Sequence, residues 1–161
     1  FNAAICAISI FSCTMLPVKA VREAVITTLI EWHDKFVSII YVNEESPVST
    51  FHITPSYIPE GFSQVESSDE FNSLYYSQFK NPSNDWFHIL ALPIESTQKT
   101  SLDSEFSTYY SVNFNGIQAI WGIMDDKSNT LLWKSGTLSF QVRGNLDLTE
   151  LIKISEGIKV K

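Results

Sequence analysis

The sequence predicts an α+β fold: a curved antiparallel sheet of about six strands with an N-terminal and a C-terminal helix packed on its apolar face, preceded by a transmembrane helix. Three observations carry this expectation. Phe1 to Val18 holds no charged residue, Val21 to Phe36 and Asp147 to Ile158 place apolar side chains at helical spacing, and Val48 to Gly144 is a series of short runs rich in Val, Ile, Phe, Tyr and Trp broken by turn residues.

The uncharged opening comes first. Eighteen residues at about 1.5 Å each span about 27 Å, close to the hydrocarbon thickness of a bilayer, so Phe1–Val18 is expected to be an anchor. A signal peptide is the rival reading and a buried core helix the third. The chain begins with Phe and has no basic opening, which predicts that the true start lies upstream. Both cysteines, Cys6 and Cys13, fall inside this segment, so neither is expected to staple the rest of the chain. Residues 19–161 are then expected to form one extracytoplasmic domain, giving a single-pass membrane protein.

Beyond Pro17, the positions Val21, Val25, Thr28, Leu29, Trp32 and Phe36 follow the i, i+4, i+7 pattern of an amphipathic helix, with Glu23, Glu31 and Asp34 between them. Val37–Val42 reads as the first strand. Val48–Thr54, Phe62–Glu66, Phe71–Phe79 and Trp86–Ile94 follow, with Lys80-Asn81-Pro82-Ser83-Asn84-Asp85 joining the last two as a hairpin. Tyr109–Phe114, Asn115-Gly116 and Ile117–Met124 form the strongest local signal, because both central positions of a type I′ turn need positive φ and Asn-Gly accepts it. Thr130–Lys134 pairs back, and Leu138–Val142 alternates as a strand with one wet face. Asp147 is placed to cap a final helix, with Glu150 three residues on and Leu148, Leu151, Ile152, Ser155 and Ile158 as its buried stripe.

Charge limits the partners. Eleven Lys and Arg stand against eighteen Asp and Glu, a formal net charge of -7 that lies wholly after Val18. Binding to nucleic acid relies on Lys and Arg displacing counterions, so nucleic acid is not an expected partner.

Chemistry-bearing residues are sparse. His33, His52 and His88 sit on three separate elements without ligand-like spacing, so no metal site is expected. No phosphate-cradling glycine loop or nucleophile elbow occurs, so no cofactor is expected. Asp103 and Glu105 lie two apart, placing them on one face of a strand, the arrangement a glycosidase needs; a solvated edge or a partner contact is the competing reading. Trp121 and Trp133, with Trp86 and Tyr75, Tyr76, Tyr109 and Tyr110, either line a groove or fill the core. Asp103, Glu105, Trp121 and Trp133 are the candidate contact residues.

An ordered set of blocks carries a resemblance. The apolar segment, Val18-Lys19-Ala20-Val21-Arg22-Glu23-Ala24, Tyr57-Ile58-Pro59-Glu60-Gly61-Phe62, Leu102-Asp103-Ser104-Glu105, the strand ending Asn115-Gly116, Leu131-Leu132-Trp133, and Phe140 to Ile158 follow one another as in a bacterial family labelled domain of unknown function 4367. The sequence resembles that family over nearly its whole length. The resemblance implies an extracytoplasmic domain on one membrane helix, behind a cytoplasmic segment like the sigma-binding part of anti-sigma factors, which here would lie upstream of Phe1. The expected function is therefore a non-enzymatic, membrane-tethered sensor or binding domain, regulatory in the manner of an anti-sigma factor, whose partner is a protein or envelope component. A carrier of lipids or other hydrophobic ligands with a half-barrel cavity is the alternative, and a cell-wall glycan enzyme the third.

Overall fold

A computed structural model describes residues 28–43, 50–70 and 74–161, and it departs from the α+β expectation: strands make up 60% and helix 7% of these residues, so the domain is mostly β. In chain order the strands are β1 (Thr28–Trp32), β2 (Phe36–Val42), β3 (Ile53–Pro55), β4 (Ser63–Glu70), β5 (Leu74–Lys80), β6 (Trp86–Pro93), β7 (Thr97–Asp103), β8 (Thr108–Phe114), β9 (Ile117–Ile123), β10 (Asn129–Ser135), β11 (Leu138–Gly144) and β12 (Ile158–Val160). The helix α1 spans Leu148–Glu156. All strand pairings are antiparallel, in a seven-stranded sheet ordered β4-β5-β6-β11-β10-β9-β8, a three-stranded sheet β1-β2-β7 and a two-stranded ribbon β12-β3.

The seven-stranded sheet is packed on both faces. Phe79, Phe87, Ile89, Leu131, Phe140 and Val142 meet Leu151 and Ile154 of α1 and Ile53 of β3 in one apolar cluster. Val37, Ile39 and Tyr41 of β2 meet Tyr109 and Ile120 on the opposite face. Burial explains the corrected reading of β11: it is a central strand in which Ser139 is buried as well as Phe140 and Val142, so it has no wet face. Ser139 Oγ bonds Leu92 O and Gln98 Oε1, each at 3.2 Å, which satisfies its hydroxyl between the sheets.

The helix expected over Val21–Phe36 is overturned for residues 28–36, where β1 and β2 form a hairpin in register from Thr28↔Tyr41 to Trp32↔Val37. Thr28, Ile30 and Trp32 also satisfy a period of two, and a short run that fits both periods is decided by tertiary packing. As a strand, β1 turns Ile30 into the Val37, Ile39 and Tyr41 cluster. Residues 21–27 of the expected helix, and the anchor expected over Phe1–Val18, lie outside the described residues. Among the described residues no helix is long and apolar enough to cross a membrane.

At the other end the helix forms as expected but stops earlier. The Asp147 carboxylate accepts from Glu150 N at 2.8 Å, and Gly157 closes the helix with N–H contacts to Lys153 O and Ile154 O. Ile158 leaves the helical stripe and starts β12, which pairs with β3 from Ile158↔Pro55 to Val160↔Ile53. Lys159 and Lys161 consequently do not extend the helical end. The Asn115-Gly116 turn has φ of 50° and 79°, as a type I′ turn requires, and joins β8 to β9 in unbroken register.

Candidate functional site

The two larger sheets diverge beside β1 and leave an open cleft of about 810 Å³. Thr28, Leu29, Ile30 and Trp32 form one wall; Ser111, Val112, Asn113, Gly116, Ile117, Gln118 and Lys134 form the other wall and floor. Alternation along the strands explains the floor's chemistry. Tyr109 and Ile120 are packed against β2, so Ser111 and Asn113 on β8 and Gln118 on β9 continue that same face past the end of the apolar cluster. Asn113 stands opposite Gln118 in the ladder, placing two amide side chains across adjacent strands.

The wall is apolar and open to solvent: Leu29 is 54% and Trp32 52% exposed. Lys134 is the charged residue of the lining, and its Nζ donates to Val42 O at 2.8 Å. No carboxylate lines the cleft, in contrast to the chain's net charge of -7. A volume near 810 Å³ lies within the range of about 300–1,000 Å³ usual for ligand sites. A smaller space of about 220 Å³ lies between the sheets, bounded by Tyr41, Leu90, Leu92, Leu102, Leu132 and Phe140 with four polar residues.

The four residues singled out by sequence are not in the cleft. Asp103 ends β7, and Glu105 lies in the following loop, so they do not share a strand face. Instead Asp103 Oδ1 accepts from Glu105 N at 2.8 Å, closing a turn, and Glu105 Oε1 pairs with Lys35 Nζ at 3.0 Å. Trp133 is 3% exposed in the main core, stacked on Phe140 with centroids 5.1 Å apart. Trp121 is half-buried, stacked on Tyr110 at 5.0 Å, and its Nε1 donates to Asn129 Oδ1 at 3.0 Å. Among the described residues no three of His, Cys, Asp and Glu come together as a metal-holding group.

Other polar clusters act as local ties. The Tyr57 hydroxyl donates to Glu150 Oε1, and Lys153 Nζ bonds Glu150 Oε2 at 3.0 Å. The Tyr57 bond, then Lys153, hold the Glu150 carboxyl below its usual range. Asp126 is lowered chiefly by its bonds from the Ser128 hydroxyl and N–H, with Arg143 at 2.8 Å adding to them. His88, flanked by the Tyr76 and Trp86 rings, is pushed down by burial and by the facing Arg143.

Sequence reading missed the cleft residues Leu29, Trp32, Ser111, Asn113 and Gln118. A usable signal was present: the Asn115-Gly116 hairpin fixes Asn113 opposite Gln118, and strand alternation puts Ser111 on the same side. The wall supplied by β1 had no such local signal.

No curated protein and no solved structure matches the chain. The family described as Domain of unknown function (DUF4367) matches residues 52–158, from just before β3 to the start of β12. That span takes in the whole seven-stranded sheet and α1, and on it the chain belongs to this family.

Proposed function

We propose that the domain is a non-enzymatic binding module, tethered to the membrane through Phe1–Val18 on the outer side, that recognises a protein or envelope component in the cleft beside β1 and acts in regulation. The cleft is the observation that carries the reading: it joins an exposed apolar wall, Leu29 and Trp32, to a floor of amides and a hydroxyl, Asn113, Gln118 and Ser111. Such a lining offers contact area and hydrogen bonds rather than an acid–base pair.

The position of β1 supports a regulatory role. Thr28 follows Val18 by ten positions, and β1 is itself a wall of the cleft. A ligand held against Leu29 and Trp32 therefore acts on the strand nearest in sequence to the tether, where a differential contact can bias a two-state element. A hydrophobic carrier is less well supported, since the most apolar space, about 220 Å³, falls below the usual ligand range of about 300 Å³.

The test is site-specific photo-crosslinking in the source cell with the full chain. A photoreactive residue at Gln118 should give a discrete adduct, while one at Lys99, on the far face of the small sheet, should not. Adducts of equal yield at both positions, or none at Gln118, would contradict the reading.

A further inference from the structure

The two edges of the seven-stranded sheet differ. β4 has a bulge between Gln64 and Glu66, and its sequence carries Glu66, Asp69 and Glu70, features that discourage another strand from pairing. β8, Thr-Tyr-Tyr-Ser-Val-Asn-Phe, has no charge, no proline and no bulge over seven residues, about 24 Å of strand at 3.4 Å per residue. An edge of that length and composition is a template for a further strand.

The turn fixes which groups it presents. Phe114 and Ile117 close a two-residue hairpin and so form a mutually hydrogen-bonded pair, as do Val112 with Ala119 and Tyr110 with Trp121. The N–H and C=O groups of Tyr109, Ser111 and Asn113 therefore point away from β9. Among the described residues no backbone hydrogen bond reaches them. Ser111 and Asn113 are also cleft-lining residues, so the free edge and the cleft are one continuous surface.

From this juxtaposition we infer that the cleft takes an extended segment of another polypeptide, about seven residues long and uncharged or acidic, added as a strand to β8. Main-chain bonds to Ser111 and Asn113 supply affinity, and alternate side chains lie against Leu29 and Trp32. The charge preference follows from the lining, where Lys134 has no neighbouring carboxylate and a basic segment would find no counter-charge. The inference rests on the binding-module reading and specifies its ligand class.

A random heptapeptide library displayed on phage, panned against the full chain, tests it. Enriched peptides should be strand-forming and free of basic residues. Ser111→Pro deletes an outward N–H without breaking the β9 ladder, and should weaken their binding about tenfold. Synthetic copies N-methylated at alternate amides should lose binding to the unaltered protein, so the result does not depend on the proline variant folding. Unchanged binding in both comparisons overturns strand addition, as does an absence of enrichment. So does finding the amides of Ser111 and Asn113 already protected from exchange in the free chain, or a dimer that Ser111→Pro dissolves. A Gln118 adduct in cells combined with any of these results would leave the binding module standing and remove only the strand.

Discussion

The ring of Tyr109 lies over the α-carbon of Gly122, its direct cross-strand partner, so closely that a Cβ on Gly122 would sit 2.6 Å from Tyr109 Cε1 and 2.9 Å from Thr130 Cγ2. Glycine at this position lets the tyrosine lie flat against β9 while it packs with Val37, Ile39 and Ile120 beneath the small sheet. The contact fixes where β2, and through it β1, stands above the cleft floor.

Gly122→Ala is therefore expected to destabilise the fold by about 1–3 kcal/mol, because Tyr109 and Thr130 must both shift within a packed layer. Urea unfolding followed by tryptophan fluorescence measures it. Tyr109→Leu in the same background should recover part of the loss, since it removes the ring that the new methyl meets.

On the opposite face, Phe79 and Phe87 are fully buried and stacked, with centroids 4.6 Å apart and 7° between ring planes. Phe87→Ala should cost about 3–5 kcal/mol, the range for deleting a buried aromatic side chain. Phe87→Leu should cost less, and the difference between the two in thermal denaturation reports how much of the loss is cavity.

The tie between α1 and the segment after β3 makes an acid-dependent prediction. The Glu150 carboxyl is lowered from its ordinary 4.5, first by the Tyr57 hydroxyl, and Asp126 is lowered from 3.8, first by Ser128. Both folded-state values lie below the unfolded ones, so their stabilisation is complete above the unfolded values and is lost as pH falls through the folded ones. Tyr57→Phe should flatten the acid limb of the stability profile, measured by urea midpoints below about pH 5. An unaltered acid limb would show that the Tyr57 bond does not carry the effect.

His88 predicts a second limb at higher pH. Burial, then the Arg143 charge, lowers it from 6.5, so the unfolded chain takes up a proton there before the folded one does. Stability should fall as pH drops below 6.5. His88→Gln should remove the part of the slope between about pH 7.5 and 5.5 that belongs to this residue.

Local chemistry was the legible part of this fold. The type I′ hairpin at Asn115-Gly116, the turn between β5 and β6, and the Asp147 cap each depend on residues within a few positions, and each forms. The first helix was misread because Leu29, Trp32 and Phe36 fit a helical stripe while Thr28, Ile30 and Trp32 fit a strand, and only packing on β2 decides between them. The cleft was illegible for a related reason: its walls come from β1 and from β8 to β10, whose meeting depends on how two sheets stack. Asp103 and Glu105 drew notice by spacing alone, yet a turn bond and the Lys35 pair account for their geometry.

The most direct test of the cleft as recognition site is the yield of the Gln118 photo-adduct in cells when Trp32 is replaced by Ala. Trp32 is a half-exposed wall residue whose removal leaves the buried clusters intact, so the account predicts an unchanged unfolding midpoint and an adduct yield reduced about tenfold. An adduct of undiminished yield from the folded variant would contradict it.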